Sequence, residues 1–464
     1  MQILVLASFM IVLALRGASS GDGSGWLLCL VTGGYVLIAL ALGALRTGLF
    51  LHWSKPGFSL PVTVVKLHRL LGMAIQLWLL GGLAGLIRLG LDGWVNGELG
   101  LGRLPMVGTF ALLLPFFLAL ILVWAADYPF HRETWWRRSS RSGWTLGQYL
   151  AYNIRHQLLF VAVPVGLIVL VADCLDLYVS DLLPGSVADY VLAGAGLASA
   201  VAILCFAPLM IVRIWKTSRL PAGELRSGLE EICRRLGLGY RDILIWQSDG
   251  VITNAAVMGF VGPMRYILLS DGLIEQMGRE DVKAVFAHEA GHILYKHIPY
   301  AAMFTMGLVT MCVSAAYGIW SLLEWPEWTA GALALVILAI VWANAFGWIS
   351  RRFERQSDVT GAWISGPSAE DDDPERITHE GAAVFVRALH KIGHLNGIPA
   401  RRRSWRHGSL AQRISYILWL GSTGGTRGHI DTVVRRIKAM VWVVFLIGLA
   451  IGVLSALTSA GPFL

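Results

Sequence analysis

Charge is scarce in this chain. Only 15% of its 464 residues are Asp, Glu, Lys or Arg, against roughly 25% in a soluble domain, and that excludes a water-soluble fold for most of the length. Paired cysteines are also missing. Cys29, Cys174, Cys205, Cys233 and Cys312 are scattered with no C-x-x-C among them, which excludes a disulfide framework and a cysteine zinc site. Most of them sit in apolar runs, where a thiol packs as a small hydrophobe. No internal repeat is visible. The formal net charge is +8, but no basic patch carries it. The positive residues fall in short loops between apolar runs, where they set topology, so nucleic acid is not an expected partner. No basic residue precedes the first apolar run, and Arg16 follows it; that run is expected to be an uncleaved, short first span and not a signal peptide.

What the chain has instead is apolar length. Hydrophobic residues make up 56% and glycine contributes 52 positions, a balance suited to helices packed closely in lipid. A helix crosses a bilayer with about 20 apolar residues. Run length gives about nine such helices, at 1–16, 26–45, 68–91, 105–126, 157–176, 187–214, 300–322, 328–349 and 437–458. Loop charges orient them. Arg46, Lys55, Lys66 and Arg69 lie in one loop, Arg132, Arg137, Arg138, Arg141 and Arg155 in another, and Arg213, Lys216, Arg219, Arg351, Arg352, Arg355, Arg435, Arg436 and Lys438 flank later spans. The alternate loops carry acids, including Asp173, Asp176, Asp181, Asp189, Glu324 and Glu327. The basic segments therefore belong on the cytoplasmic side, and a bacterial inner membrane is the expected setting.

Two segments are polar enough for water. In the first, Leu225–Leu236 has the pattern of an amphipathic helix, Asp242–Trp246 and Tyr266–Leu269 of short strands, and Arg279–His297 of a helix. The second contains the acidic run Glu370, Asp371, Asp372, Asp373, Pro374, Glu375, expected to be a solvated loop. The domain plan is thus an N-terminal bundle of about six spans (1–216), the first part of a polar domain (217–299), a membrane hairpin (300–349), the second part of that domain (350–436) and a last helix (437–464). The fold class is mainly α, polytopic, with a small α+β domain split by the hairpin.

The polar domain carries the chemistry. Residues 288–292 are H-E-A-G-H. Helical positions four apart share a face, so His288 and His292 can address one metal ion, and Glu289 can act as general base for its water. Val282, Ala284, Val285 and Ala287 supply an apolar face, and Gly291 admits a close neighbour. A catalytic zinc needs a third protein ligand. The position six residues after His292 is Ile298, and His297, at about 140° round a continuous helix, faces away. Glu354 is the better candidate, brought back to the same side by the hairpin. Asp358, one turn further, would hold a ligating histidine. A helix merely bridged to Arg351 and Arg355 is the alternative for that pair; H-E-x-x-H tips the choice to ligation of one zinc ion.

These motifs resemble the membrane zinc metallopeptidases that include HtpX and the CAAX prenyl endopeptidases. That gluzincin-type family has H-E-x-x-H, a two-span hairpin, then E-x-x-A-D. Here the last element is Glu354, Arg355, Gln356, Ser357, Asp358, with serine for alanine. The family's N-A-F-x-x-G segment corresponds to Asn254, Ala255, Ala256, Val257, Met258, Gly259, without the aromatic. Its H-P-x-L-x-x-R-I corresponds to His407, Gly408, Ser409, Leu410, Ala411, Gln412, Arg413, Ile414, with glycine for proline. The resemblance covers about residues 217–420. It implies that Asn254, Ala255 and Gly259 belong to an edge strand that pairs with extended substrate, that His407 donates to an oxyanion, and that Arg413 contributes to the same region. The expected activity is zinc-dependent endopeptidase cleavage, with a protein or peptide substrate at the membrane. A prenyl-protein endopeptidase and a membrane signal sensor with a peptidase-like domain are the alternatives; a transporter fits least, since few charges lie inside the spans.

Overall fold

The computed structural model describes residues 1–17, 25–53, 62–136, 144–179, 182, 185–250, 252–323, 327–367 and 375–459. The acidic run 370–374 and Arg137, Arg138 and Arg141 lie outside them. Two compact units divide after Trp215.

The first unit is helical: α1 Gln2–Leu15, α2 Gly25–Trp53, α3 Val62–Leu86, α4 Val107–Trp136, α5 Leu146–Asn153, α6 Leu159–Val179 and α7 Gly185–Ile214. Phe9, Leu79, Leu83, Phe116, Leu120 and Trp124 fill its centre, while Leu30, Leu37 and Leu77 stay exposed. Large apolar side chains left outside are what lipid tolerates and water does not. Several spans outrun their apolar stretch. Arg46, placed in a loop from composition, lies inside α2 and pairs with Asp127 of α4 at 2.9 Å, so each charge is neutralised within the helical bundle. Arg16 pairs with Asp173 in the same way at 2.8 Å.

The second unit joins a sheet to six helices of 14 or more described residues. In chain order it contains β1 Thr217–Arg219, α8 Glu224–Arg235, β2 Asp242–Trp246, β3 Ala255–Met258, β4 Tyr266–Ser270, α9 Asp271–Gln276 and α10 Arg279–Leu294. After these come α11 His297–Leu323, α12 Glu327–Ser365, α13 His379–Leu395, α14 Leu410–Thr423 and α15 Gly428–Ser459. The strand order is β1-β2-β4-β3. Only β2 and β4 run parallel; β1 and β3 are antiparallel edges. Leu229, Ile232 and Cys233 form the buried stripe of α8, and Val282, Ala284, Phe286, Ala287 and Ala290 bury most of α10. Glu280 and Asp281 lie in the first turn of α10, where carboxylates suit the helix dipole. Asp281 is also held by Arg387 of α13 at 2.8 Å.

Seven described helical stretches are long and apolar enough to cross a membrane: Gly25–Trp53, Lys66–Leu91, Val107–Glu133, Leu146–Val179, Gly194–Ile214, His297–Ala316 and Gly428–Leu454. The chain is an integral, multi-pass membrane protein. Seven of the nine runs expected from the sequence find a helix here. The first is a 14-residue helix, short for a span. The run at 328–349 is the opening part of α12, a single helix of 39 residues. That continuity matters for the chemistry. The helix does not stop at Ser350 but carries Glu354 and Asp358 rigidly to its end at Ser365. Within the membrane part, α11 and α15 meet at glycines: a Cβ on Gly448 would stand 2.5 Å from the Gly307 carbonyl oxygen, so that crossing requires the smallest side chain.

Candidate metal centre

Helix α10 presents His288 and His292 on one face, and α12 crosses it with Glu354. The crossing is close because of Gly291. A Cβ there would sit 3.1 Å from the Ser357 Cα and 3.2 Å from its Oγ. Small residues on both helices thus bring the three side chains together, with their ligand atoms all within 4.8 Å of one another. His288 Nε2 and His292 Nε2 are 3.3 Å apart. Glu354 Oε2 is 3.7 Å from the first and Oε1 is 3.6 Å from the second.

The far nitrogens of both rings lie close to polar groups. His288 Nδ1 lies 2.9 Å from Asp358 Oδ1. That carboxylate is gripped by Arg413, whose Nε and Nη2 donate to its two oxygens at 2.8 and 2.5 Å. His292 Nδ1 lies 2.9 Å from His297 Nδ1, His297 Nε2 lies 2.8 Å from Gln356 Oε1, and Gln356 Nε2 donates to Asp431 Oδ1 at 2.6 Å. A carboxylate only accepts, so the chain has one consistent assignment. Gln356 gives its amide to Asp431 and accepts from His297 Nε2–H, which leaves His297 Nδ1 as acceptor for His292 Nδ1–H. With both rings neutral, the two Nε2 atoms then carry lone pairs that face each other. Such an arrangement repels unless a cation lies between, and two nitrogens about 2.0–2.1 Å from a tetrahedral zinc are about 3.3–3.4 Å apart. The donor set fits one such ion.

The charges agree. Burial, aided by the neighbouring His288, holds the His292 ring down at about 4, so it is neutral at physiological pH as a ligand must be. Burial alone would raise the Glu354 carboxyl. The His407 hydrogen bond and the charges of His288 and Arg413 outweigh it and hold Glu354 well below the usual carboxylate range. Glu289 goes the other way: burial raises it, the direction that makes a carboxylate a better proton acceptor.

His297 corrects the expectation from the helical wheel. Helix α10 does not reach it. The helix ends at Leu294, and Lys296 takes a left-handed φ of 54°, so α11 starts afresh at His297 and turns that ring back toward His292, buried and stacked on Phe353. The five-residue spacing was a visible signal; the helix break was not. Gln356 was visible only as an unassigned letter between Glu354 and Asp358, and Asp431 carried no signal at all.

The other expected site residues lie as follows. Ala255 belongs to β3, an edge of the sheet, with Asn254 just before it. Gly259 ends that segment at φ 113°, where a Cβ would meet the Met264 carbonyl at 2.7 Å, so glycine is required there. His407 is half-exposed, with Nδ1 2.8 Å from Glu354 Oε1. Its loop is closed by the Ser404 and Gly408 backbone pair at 2.9 Å in both directions. Gly408 has φ 76°, which proline cannot adopt; this chain's departure from the family's H-P is therefore a different turn. Arg413, grouped with the substrate residues from the motif, lies behind the ligands on Asp358. Arg351 and Arg355 do not bridge to Glu354 or Asp358; Arg351 donates to the Trp405 carbonyl and Arg355 lies over Tyr416.

The fold is multi-pass, with a two-histidine, one-carboxylate cluster at the crossing of α10 and the long helix α12. Residues 219–376 match peptidase family M48. Protease HtpX of Xylella fastidiosa is 26% identical over 195 residues, 39% of this chain and 67% of that protein. Protease HtpX of Pseudomonas putida strain GB-1 is 25% identical over 181 residues, 36% of this chain and 61% of the relative. A protease HtpX homolog from Pyrococcus abyssi is 27% identical over 168 residues, 34% and 57% of the two chains. Among solved structures, S. mikatae Ste24p is similar with a TM-score of 0.51 at 16% identity, covering 84% of this chain and 98% of the other. The chain thus resembles the membrane metallopeptidases of the HtpX and Ste24p type; its matches span between 57% and 67% of these three HtpX relatives.

Proposed function

We propose that the protein is a zinc-dependent endopeptidase that cleaves membrane or membrane-associated proteins at the cytoplasmic face, in a bacterial inner membrane. The observation that carries this reading is the convergence of His288 Nε2, His292 Nε2 and the Glu354 carboxylate within 4.8 Å of one another, with Glu289 next in sequence to His288. His288, His292 and Glu354 would hold one zinc ion, which when bound acidifies a coordinated water to a pKa of about 7. Glu289 accepts the proton of the attacking water and can return it to the departing amine. Asp358 and Arg413 hold His288 in the tautomer that leaves Nε2 bare. An extended substrate would add to the open edge of β3, pairing backbone to backbone. His407, on its exposed loop, is placed to donate to the carbonyl oxygen once it leaves Glu354.

Glu289→Gln tests this directly. The variant is expected to keep stoichiometric zinc and lose at least about 100-fold in kcat, the lower range for removal of a general base. Comparing membrane proteomes of wild-type and variant cells, and assaying plain and farnesylated peptides side by side, identifies the substrate class. A Glu289→Gln protein with undiminished cleavage would overturn the peptidase reading.

A further inference from the structure

Where α12 leaves its apolar stretch, three arginines converge on a cavity of about 500 Å³. Its lining is Arg351, Arg352 and Arg355 on one side and Ala411, Gln412 and Ser415 of α14 on the other. Among the described residues, none of the three arginines has a carboxylate within ion-pair distance. Arg351 is spent on the Trp405 carbonyl through one nitrogen. Arg352 donates to the Trp348 carbonyl at 3.2 Å and stacks on that indole at 4.2 Å. Arg355 is 4.4 Å above the Tyr416 ring. Each guanidinium has five donors, so most remain free.

Like charges four apart on a helix destabilise it, and here a third lies between them. The acids of the same stretch, Glu354 and Asp358, face the metal centre and do not relieve this. Charges that only orient a span can stand anywhere on the cytoplasmic side; these three instead share one cavity, with an amide and a hydroxyl opposite.

The ligand that matches forked donors, positive potential and this volume is a phosphate group. Depth indicates its source. Arg351 and Arg352 are the first charges after the apolar run, Trp348 just before them is 38% exposed, and Trp419 on α14 is 56% exposed. Exposed tryptophans beside arginines mark the headgroup level of a bilayer. We propose that this pocket binds a phosphate group, supplied in the membrane by the phosphodiester of an anionic glycerophospholipid. It would neutralise three arginines that have no acid partner among the described residues.

The test uses the full-length protein in nanodiscs of phosphatidylcholine with and without phosphatidylglycerol, followed by native mass spectrometry of the released protein. The wild type is expected to retain phosphatidylglycerol. Arg352→Gln/Arg355→Gln should retain it about tenfold less, since hydrogen bonds to charged groups are lost, and Arg234→Gln on the water-exposed α8 should retain it normally. Thermal unfolding with inorganic phosphate forms the second arm. Stabilisation of the wild type but not the variant, without lipid retention, assigns the site to free phosphate. Equal lipid retention by all three proteins together with no phosphate effect overturns the proposal. Should the double variant misfold, Arg355→Gln alone carries the test, because that side chain is exposed and makes no ion pair among the described residues.

Discussion

At the scale of single residues, the centre depends on which nitrogen of each imidazole holds the proton. His288 is fixed by a carboxylate, Asp358, as metal-binding histidines commonly are. His292 is fixed by another histidine, His297, whose own tautomer is set by Gln356 and Asp431. Replacing His297 by Phe keeps bulk and stacking against Phe353 but removes the acceptor. Zinc affinity, measured by competition with a chromophoric chelator, is expected to fall about 10- to 100-fold, the usual effect of losing such a partner. Asn at the same position places an amide oxygen where Nδ1 was and should recover much of the loss. If Phe and Asn bind zinc equally well, the relay has no positioning role. The convergence of His288 and His292 on one helix face was legible from five letters because a helix turn fixes their relation. His297 was not, because its place depends on one left-handed residue, Lys296, in an otherwise helical pattern.

At the scale of elements, the decisive contact is the crossing of α10 and α12, since two ligands ride on one and the third on the other. Gly291 and Ser357 meet there. Gly291→Val would press a branched side chain into atoms already at 3.1–3.3 Å from a Cβ, and overpacking of this kind costs about 1–3 kcal/mol. Thermal unfolding should drop accordingly, and zinc affinity at least about tenfold, because separating the helices opens the ligand set. Ser357→Ala acts in the opposite direction. The Ser357 hydroxyl is buried without a hydrogen-bond partner, and an unsatisfied buried polar group costs about 1–3 kcal/mol; removing it should raise the unfolding midpoint while cleavage continues. Sequence pattern recovered β2 and β4 and the amphipathic α8 nearly to the residue, since alternation and periodicity are local. It did not recover α13 and α14, nor the early start of α15 at Gly428. Those helices carry their charges on faces that composition alone assigns to a polar loop.

At the scale of the whole molecule, the second unit is one chemical site assembled across a membrane excursion. H-E-x-x-H precedes α11, and Glu354 follows the first part of α12. Two crossings between them, by α11 and the first part of α12, would return the chain to one side, as a shared metal ion demands. Loop charges say which side: Arg219, Arg351, Arg352 and Arg435 should face the cytoplasm, and the short acidic loop near Tyr178 the opposite compartment. In a background with Cys29, Cys174, Cys205, Cys233 and Cys312 replaced by serine or alanine, a single cysteine at Arg402, exposed on the His407 loop, is expected to react with a membrane-impermeant maleimide only in inside-out vesicles. A single cysteine at Tyr178, 63% exposed, should react only in intact spheroplasts. The two labels test separate statements. Reversal of both would invert the topology and leave the zinc chemistry standing, moving the substrates to the outer face. Labelling of Arg402→Cys from both sides would contradict a fixed orientation. The crossing of α10 and α12 must lie on a single side for Glu354 to reach His288 and His292, so a molecule inverted as a whole is expected to keep its zinc, and only one with the two helices split across the membrane to lose it.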